Sequence, residues 1–327
     1  MFYKISKYDK FVPLLILMIV VARFLPGPAV YEGRVDLHTV ADIGISLIFL
    51  FYGIKLNPAT LKEDLGNWRL HLVVQMATFI LFPALVLPFL LMQSKGDPYY
   101  LLWLGAFFLA ALPSTVSSSV VMVSIAKGNI ASAIFNASFS SLFGILITPM
   151  WMGLVISGGD AALLTDFGSV IGKLVMQVLV PLFFGVLLNR FFGRWAYRHS
   201  LMLKRFDQTV ILLIVYLSFG ESFYLNLFKD TGIVEIFVLI GGSLILFFTL
   251  FFIINFTALR LGFDRRDRIT ALFSGSKKSL VHGTVMSGII FGDFAGVGVI
   301  LLPLMVYHAV QLVIVGFIAQ RMSSKSV

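Results

Sequence analysis

Residues 271–283 read Ala-Leu-Phe-Ser-Gly-Ser-Lys-Lys-Ser-Leu-Val-His-Gly. Two adjacent lysines, Lys277 and Lys278, sit inside an otherwise apolar segment, directly after a Ser-Gly-Ser step. Serine hydroxyls compete for backbone groups and glycine loses the most backbone freedom on ordering, so neither favours a helix interior. The stretch is therefore either a loop in water or a broken helix that carries cations deep into a membrane. The fold turns on this choice, because the first reading leaves nine membrane spans and the second leaves ten.

Composition supplies the setting. The chain of 327 residues is 59% hydrophobic and 13% charged, whereas a soluble domain is about 25% charged. A soluble protein of this size cannot hide so much apolar surface. The excess faces lipid, which makes this a polytopic membrane protein. The net charge of +9 is spread over loops and forms no basic stripe on a soluble domain, so no nucleic-acid partner is expected. The absence of cysteine excludes disulfides, thiolate nucleophiles and cysteine metal sites.

Apolar runs predict spans at 11–22, 37–54, 69–92, 99–125, 130–156, 167–188, 210–227, 233–259, 268–291 and 297–318, mostly near the ~20 residues needed to cross hydrocarbon. The first reads as an uncleaved span rather than a signal peptide, since it ends at Arg23 and Pro26 without a small-x-small cleavage site. With the N-terminus cytoplasmic, the inner segments hold Lys4, Lys7, Lys10, Lys55, Lys62, Arg69, Lys127, Arg190, Arg194, Arg198, Lys204, Arg205, Arg260, Arg265, Arg266, Arg268, Arg321 and Lys325. The outer loops hold Arg23, Arg34, Lys95 and Lys229. This asymmetry places both termini inside and requires an even number of spans. Were the opening stretch a loop, residues 279–291 would be too short to cross, and Arg321 and Lys325 would be stranded outside. Ten spans, a broken helix and a multi-pass protein of the cell membrane are expected.

Ten spans divide into two sets of five, repeat one at about 10–157 and repeat two at about 166–320, within a single transmembrane domain covering 1–327. Five is odd, so the second set is inverted relative to the first. The fourth span of each set is interrupted, at Pro113-Ser114-Thr115-Val116-Ser117-Ser118-Ser119 and at 274–279. Paired broken spans at corresponding places point to a transporter site. A broken helix exposes N–H groups at the start of one piece and C=O groups at the end of the other. Lipid cannot satisfy either, so the break must line a cavity or be buried in protein, where N–H ends attract anions and C=O ends attract cations.

The residues 112–119, Leu-Pro-Ser-Thr-Val-Ser-Ser-Ser, followed by Lys127-Gly128-Asn129-Ile130-Ala131, Asn136 and Ile147-Thr148-Pro149, resemble the bile acid:sodium symporter superfamily. Lys278-Ser279-Leu280 and Leu50-Phe51-Tyr52-Gly53-Ile54-Lys55-Leu56 are similar to its subgroup typified by the seventh member of solute carrier family 10. The resemblance spans nearly the whole chain. It implies ten helices as an inverted five-helix repeat, with broken helices four and nine crossing near the midplane. It further implies a core of helices three to five and eight to ten that moves against a panel of one, two, six and seven.

One departure stands out. Sodium-coupled members of the family use an acid near the second crossing point, with Ser and Asn groups of the first. Here Ser274 stands at the acid's place, with Lys277 and Lys278 beside it. The coupling ion is thus left open between sodium, for which Ser118, Ser119 and Asn136 are the candidate ligands, a proton, and a fixed lysine replacing sodium. An ammonium at the midplane costs at least ~2.5–3.5 kcal/mol, which marks such a lysine as functional, although a lysine can also snorkel to the cytoplasmic face. Candidate substrate or ion groups are Ser117, Ser118, Ser119, Asn136, Gln75, Glu221, Ser274, Ser276, Lys277, Lys278, Ser279 and His282. Serines can instead merely bend a helix, the amides Asn136 and Gln75 can bond between helices, and Glu221 serves either as a lysine's counter-ion, as a proton site or as a group facing outer water.

The expected activity is secondary transport of a small organic anion by alternating access, with membrane lipid as the surrounding partner and no cofactor beyond a sodium ion. The alternative is a membrane-embedded enzyme acting on a lipid. That would require clustered carboxylates or a nucleophile–base pair, and the spans hold few acids, with Asp42 near an end and Glu221 alone.

Overall fold

The computed structural model describes residues 11–31, 37–55, 66–115, 117–157, 172–173, 175–229, 232–292, 294 and 296–324. Among these residues the chain is helical and contains no strand. Lys4, Lys7, Lys10, Arg34, Lys62 and Lys325, the first part of the expected span 167–188, and the Ser117 side chain lie outside the described residues.

In order the helices are α1 (Phe11–Phe24), α2 (Leu37–Lys55), α3 (Trp68–Leu91), α4 (Tyr100–Ala111), α5 (Ser117–Ile125), α6 (Ile130–Ser157), α7 (Val175–Arg198), α8 (Ser200–Tyr224), α9 (Ile233–Arg260), α10 (Arg265–Gly275), α11 (Leu280–Ile290) and α12 (Val297–Ser324). Six of them, α2, α3, α6, α7, α9 and α12, are long and apolar enough to cross a membrane. Span 99–125 is two helices, α4 and α5, and span 268–291 is two, α10 and α11. α8 begins at Ser200 rather than 210, because Leu, Met, Lys and Arg in its first turns are good helix formers whether or not they lie in lipid. α9 turns Phe237, Ile245, Phe248, Phe252 and Phe256 outward. An apolar exposed surface of that extent is what a helix presents to lipid, and the chain is a polytopic membrane protein.

Close approaches explain several glycines. α2 and α7 cross where Gly53 lies on the backbone of Leu182 and Gly185, and Gly185 on that of Leu50, leaving no room for a Cβ on either. The Lys127-Gly128-Asn129 turn between α5 and α6 takes Lys127 to a φ of 61°. A Cβ on Gly128 would stand 2.8 Å from Ile269 and Val123. Asp267 in the first turn of α10 then ties this turn down. Its two carboxylate oxygens accept from Asn129 Nδ2 at 2.9 Å and from Asn67 Nδ2, just before α3, at 2.8 Å.

Proline shapes α3. Residues Ala77–Leu81 form a π turn directly ahead of Pro83. The N–H of Phe82 reaches back to Ala77 O, so Thr78 O loses its α-helical donor, and its next candidate, Pro83, has no N–H to give. Phe79 O, which Pro83 would serve in a regular helix, accepts instead from Trp151 Nε1 at 2.9 Å. Pro83 thus leaves one carbonyl, Thr78 O, open inside the protein.

Candidate functional site

The two breaks meet. Ser114 Oγ donates to Ser274 O at 2.6 Å, Ser119 Oγ to Phe273 O at 3.2 Å, and Ser279 N to Pro113 O at 3.0 Å. Each helix therefore satisfies backbone groups that the other's interruption has freed, as buried backbone requires. At the end of α4, Ala111 O accepts from Thr148 Oγ1 at 2.8 Å, and the N–H of Ser114 turns to Ser140 Oγ at 2.9 Å. At the end of α10, Ser276 N and Oγ both return to Leu272 O. Ser279 caps α11 by accepting from His282 N at 3.3 Å.

Lys278 fills the centre. Its Nζ donates to Thr78 O at 2.7 Å, Ala110 O at 2.6 Å and Leu112 O at 2.7 Å. An ammonium has three N–H groups, and here each has a carbonyl. Thr78 O is the oxygen opened by Pro83, and Ala110 O and Leu112 O belong to the C-terminal end of α4, where the helix dipole is negative. The Phe82 ring lies with its centroid 4.1 Å from Nζ, a cation–π contact. The side chain is 0% exposed, and no carboxylate among the described residues pairs with it. α12 holds the backbone of the same break: Gln311 Oε1 accepts from Lys278 N at 3.0 Å, Gln311 Nε2 donates to Lys278 O at 2.9 Å, and Tyr307 OH donates to Ser276 O at 2.8 Å.

Lys277 is equally buried but differently held. Its Nζ donates to Ser118 Oγ at 2.7 Å, and Ser118 Oγ also reaches Thr115 Oγ1 at 3.4 Å. Asn136 and Gln75 form another network between α3 and α6. Gln75 Nε2 donates to Asn136 Oδ1 at 3.1 Å, and Asn136 Nδ2 lies 2.9 Å from His71 Nδ1 and 2.9 Å from Ser132 O. Gln75 Oε1, Ser132 Oγ and Ser274 Oγ are buried without a hydrogen-bond partner.

His282 lies one turn into α11 with Nδ1 2.9 Å from Ser279 Oγ. Its ring meets Phe49 and Tyr52 edge-on. With Ile48, Phe49, Tyr52, Lys55, Asp207, Val281 and Val285 it lines a cavity of about 50 Å³, whose mouth carries the Lys55–Asp207 pair at 3.5 Å. Glu221 is not brought to the lysines. It pairs with His38 at 3.2 Å and lines a separate cavity of about 70 Å³ with Asp42, Lys173 and Gln177. Both cavities share walls on α2, α8 and α11, one toward each end, and neither Lys277 nor Lys278 lines either of them.

Comparison with known proteins points to a membrane transporter. The family model for the SBF-like CPA transporter family matches residues 9–324. The chain is 35% identical over 316 residues to YfeH of Escherichia coli, covering 96% of this chain and 92% of that one. It is 31% identical over 279 residues to the Sodium/bile acid cotransporter 7 of Mus musculus (84% and 81% covered), and 30% identical over 302 residues to the Sodium/bile acid cotransporter 7-B of Xenopus laevis (92% and 87%). This chain belongs to the SBF-like CPA transporter family. It is a membrane transporter rather than an enzyme.

Membership in the SBF-like CPA transporter family raises the question of a sodium ion, for which Ser118, Ser119 and Asn136 are the candidate ligands. In this structure Ser118 Oγ accepts from Lys277 Nζ, Ser119 Oγ donates to Phe273 O, and Asn136 is bonded to Gln75, His71 and Ser132. The three groups thus take part in different hydrogen-bond networks. Thr78, Phe82 and Tyr307 complete the site without having been expected. The signal for Thr78 was Pro83, five residues downstream, which must free a carbonyl. Phe82 and Tyr307 are aromatics among many and carry no pattern of their own.

Proposed function

We propose that this protein is a secondary transporter of a small organic anion that works by alternating access, with Lys278 as a fixed cation in place of a bound sodium ion. The observation that carries this reading is a fully buried lysine Nζ held by three carbonyls where two broken helices meet, with no described carboxylate beside it. Lys277, held by one hydroxyl, is the cation left to meet the anion. The relatives' printed names as sodium/bile acid cotransporters agree with an anionic substrate and name sodium for those proteins.

In this reading α4 with α5, and α10 with α11, each count as one span, giving ten spans in two inverted sets of five. Helices α1, α2, α7 and α8 form the panel and the remainder form the core. The basic ends, with Arg265, Arg266 and Arg268, lie in the cytoplasm. The core rocks against the panel, and the two cavities along α2, α8 and α11 open in turn. The test is uptake of labelled organic anions into proteoliposomes under imposed gradients. Wild-type protein accumulates at least one anion when a proton gradient or a membrane potential is imposed, and Lys278→Ala protein recovered in folded form does not. Wild-type uptake by Lys278→Ala contradicts the role given to Lys278.

A further inference from the structure

We infer that the cage around Lys278 is a site for a free monovalent cation, which the chain fills with its own side chain and which can be emptied and refilled. The inference rests on the reading of Lys278 as a fixed cation and deepens it by assigning the binding property to the cage. The cage is built from main chain and one ring: Thr78 O, Ala110 O and Leu112 O at 2.6–2.7 Å from Nζ, with the Phe82 ring on a further side.

Each of these four elements has a support other than the Lys278 side chain, the Phe82 ring through its edge-on contact with Tyr307. Pro83 and the π turn fix Thr78 O. The end of α4 fixes Ala110 O and Leu112 O, and Thr148 holds the carbonyl between them. Gln311 and Tyr307 hold the 276–279 backbone through main-chain atoms, independently of the Lys278 side chain. Converging carbonyls replace the hydration shell of a monovalent cation, and an aromatic face adds attraction for an ammonium. Three directional acceptors match the three N–H groups of a primary alkylammonium and three of the four of ammonium, so that class of ion is the ligand assigned. A cation in the cage also satisfies three buried acceptors that otherwise stand unpaired.

The experiment uses full-length protein in nanodiscs and reads its melting temperature in choline, ammonium, methylammonium, sodium and potassium chlorides at equal ionic strength. Lys278→Ala should melt below wild type in choline chloride and recover with ammonium in a saturable manner, as binding to the native state alone requires. Wild type should respond to no salt beyond choline. Lys278→Met, whose side chain occupies the cage without charge, should melt low and fail to recover. Recovery of Lys278→Ala by sodium or potassium supports the cage and names a preference for a bare ion. An equal melting temperature in every salt overturns the inference, as does equal recovery of Lys278→Met. Failure to recover folded Lys278→Ala even when ammonium is present throughout also counts against it. Anion uptake by wild type is independent of all these outcomes, so the cage can fail while the transporter reading stands, and the reverse.

Discussion

Lys277 and Lys278 are neighbours with different environments, and that difference should appear in their variants. Removing Lys278 orphans three carbonyls, at about 1–3 kcal/mol for each buried group left unpaired. Removing Lys277 forfeits one hydrogen bond, about 1 kcal/mol, and at the same time removes a buried charge that is itself costly. Lys277→Met should therefore melt close to wild type yet lose anion uptake, which separates a substrate-facing role from a structural one; unchanged uptake would refute it. Tyr307→Phe tests the frame around them. It leaves Ser276 O without its donor and should lower stability by about 1–3 kcal/mol, measured by thermal melting. The lysines were legible in the sequence because charge inside an apolar run has few explanations. Their partners were not, because a carbonyl oxygen is present at every residue and becomes a ligand only where the backbone stops serving itself.

At the scale of elements, both interruptions could be read beforehand, from Pro113 and from Ser274-Gly275-Ser276, and the family resemblance implied that they cross, but the atoms that join them could not be read. Ser114, Ser119 and Ser279 now link them, together with both lysines, and sequence spacing holds no information on which broken end faces which. The expected sodium groups show the same limit: Ser118, Ser119 and Asn136 lie within two neighbouring helices, yet each has turned to a different partner. Pro83 offers a test at this scale. Pro83→Ala supplies an N–H, allows α3 to close its π turn, and returns Thr78 O to the helix. Proline in a helix interior is about 3 kcal/mol less favourable than alanine, so α3 itself should become more regular while uptake falls, because Lys278 loses one of its three acceptors. Uptake that rises together with stability would show that Thr78 O is not part of the site. Gly128→Val should destabilise by about 1–3 kcal/mol or more, since its Cβ would meet Ile269 and Val123 at 2.8 Å at the turn that Asp267 anchors.

The molecule as a whole has fully buried lysines and, apart from them, two cavities, each bordered by an ion pair between α2 and α8: Lys55 with Asp207 at one, His38 with Glu221 at the other. Composition made the membrane setting legible, whereas the burial of the lysines depends on how the helices pack and leaves no local trace in the chain. The native sequence contains no cysteine, which makes sidedness directly measurable. Val281→Cys and Ser218→Cys should react with membrane-impermeant thiol reagents from opposite faces, and a transported anion should change the two rates in opposite directions. Reaction of both from the same face would exclude alternating access along this seam. Lys278 is proposed to stand where a sodium ion would otherwise bind, and sodium replacement tests that most directly. Proteoliposomes accumulating an organic anion should do so at the same rate when choline replaces sodium on both sides. Uptake that appears only with sodium, and rises steeply with its gradient, would contradict it.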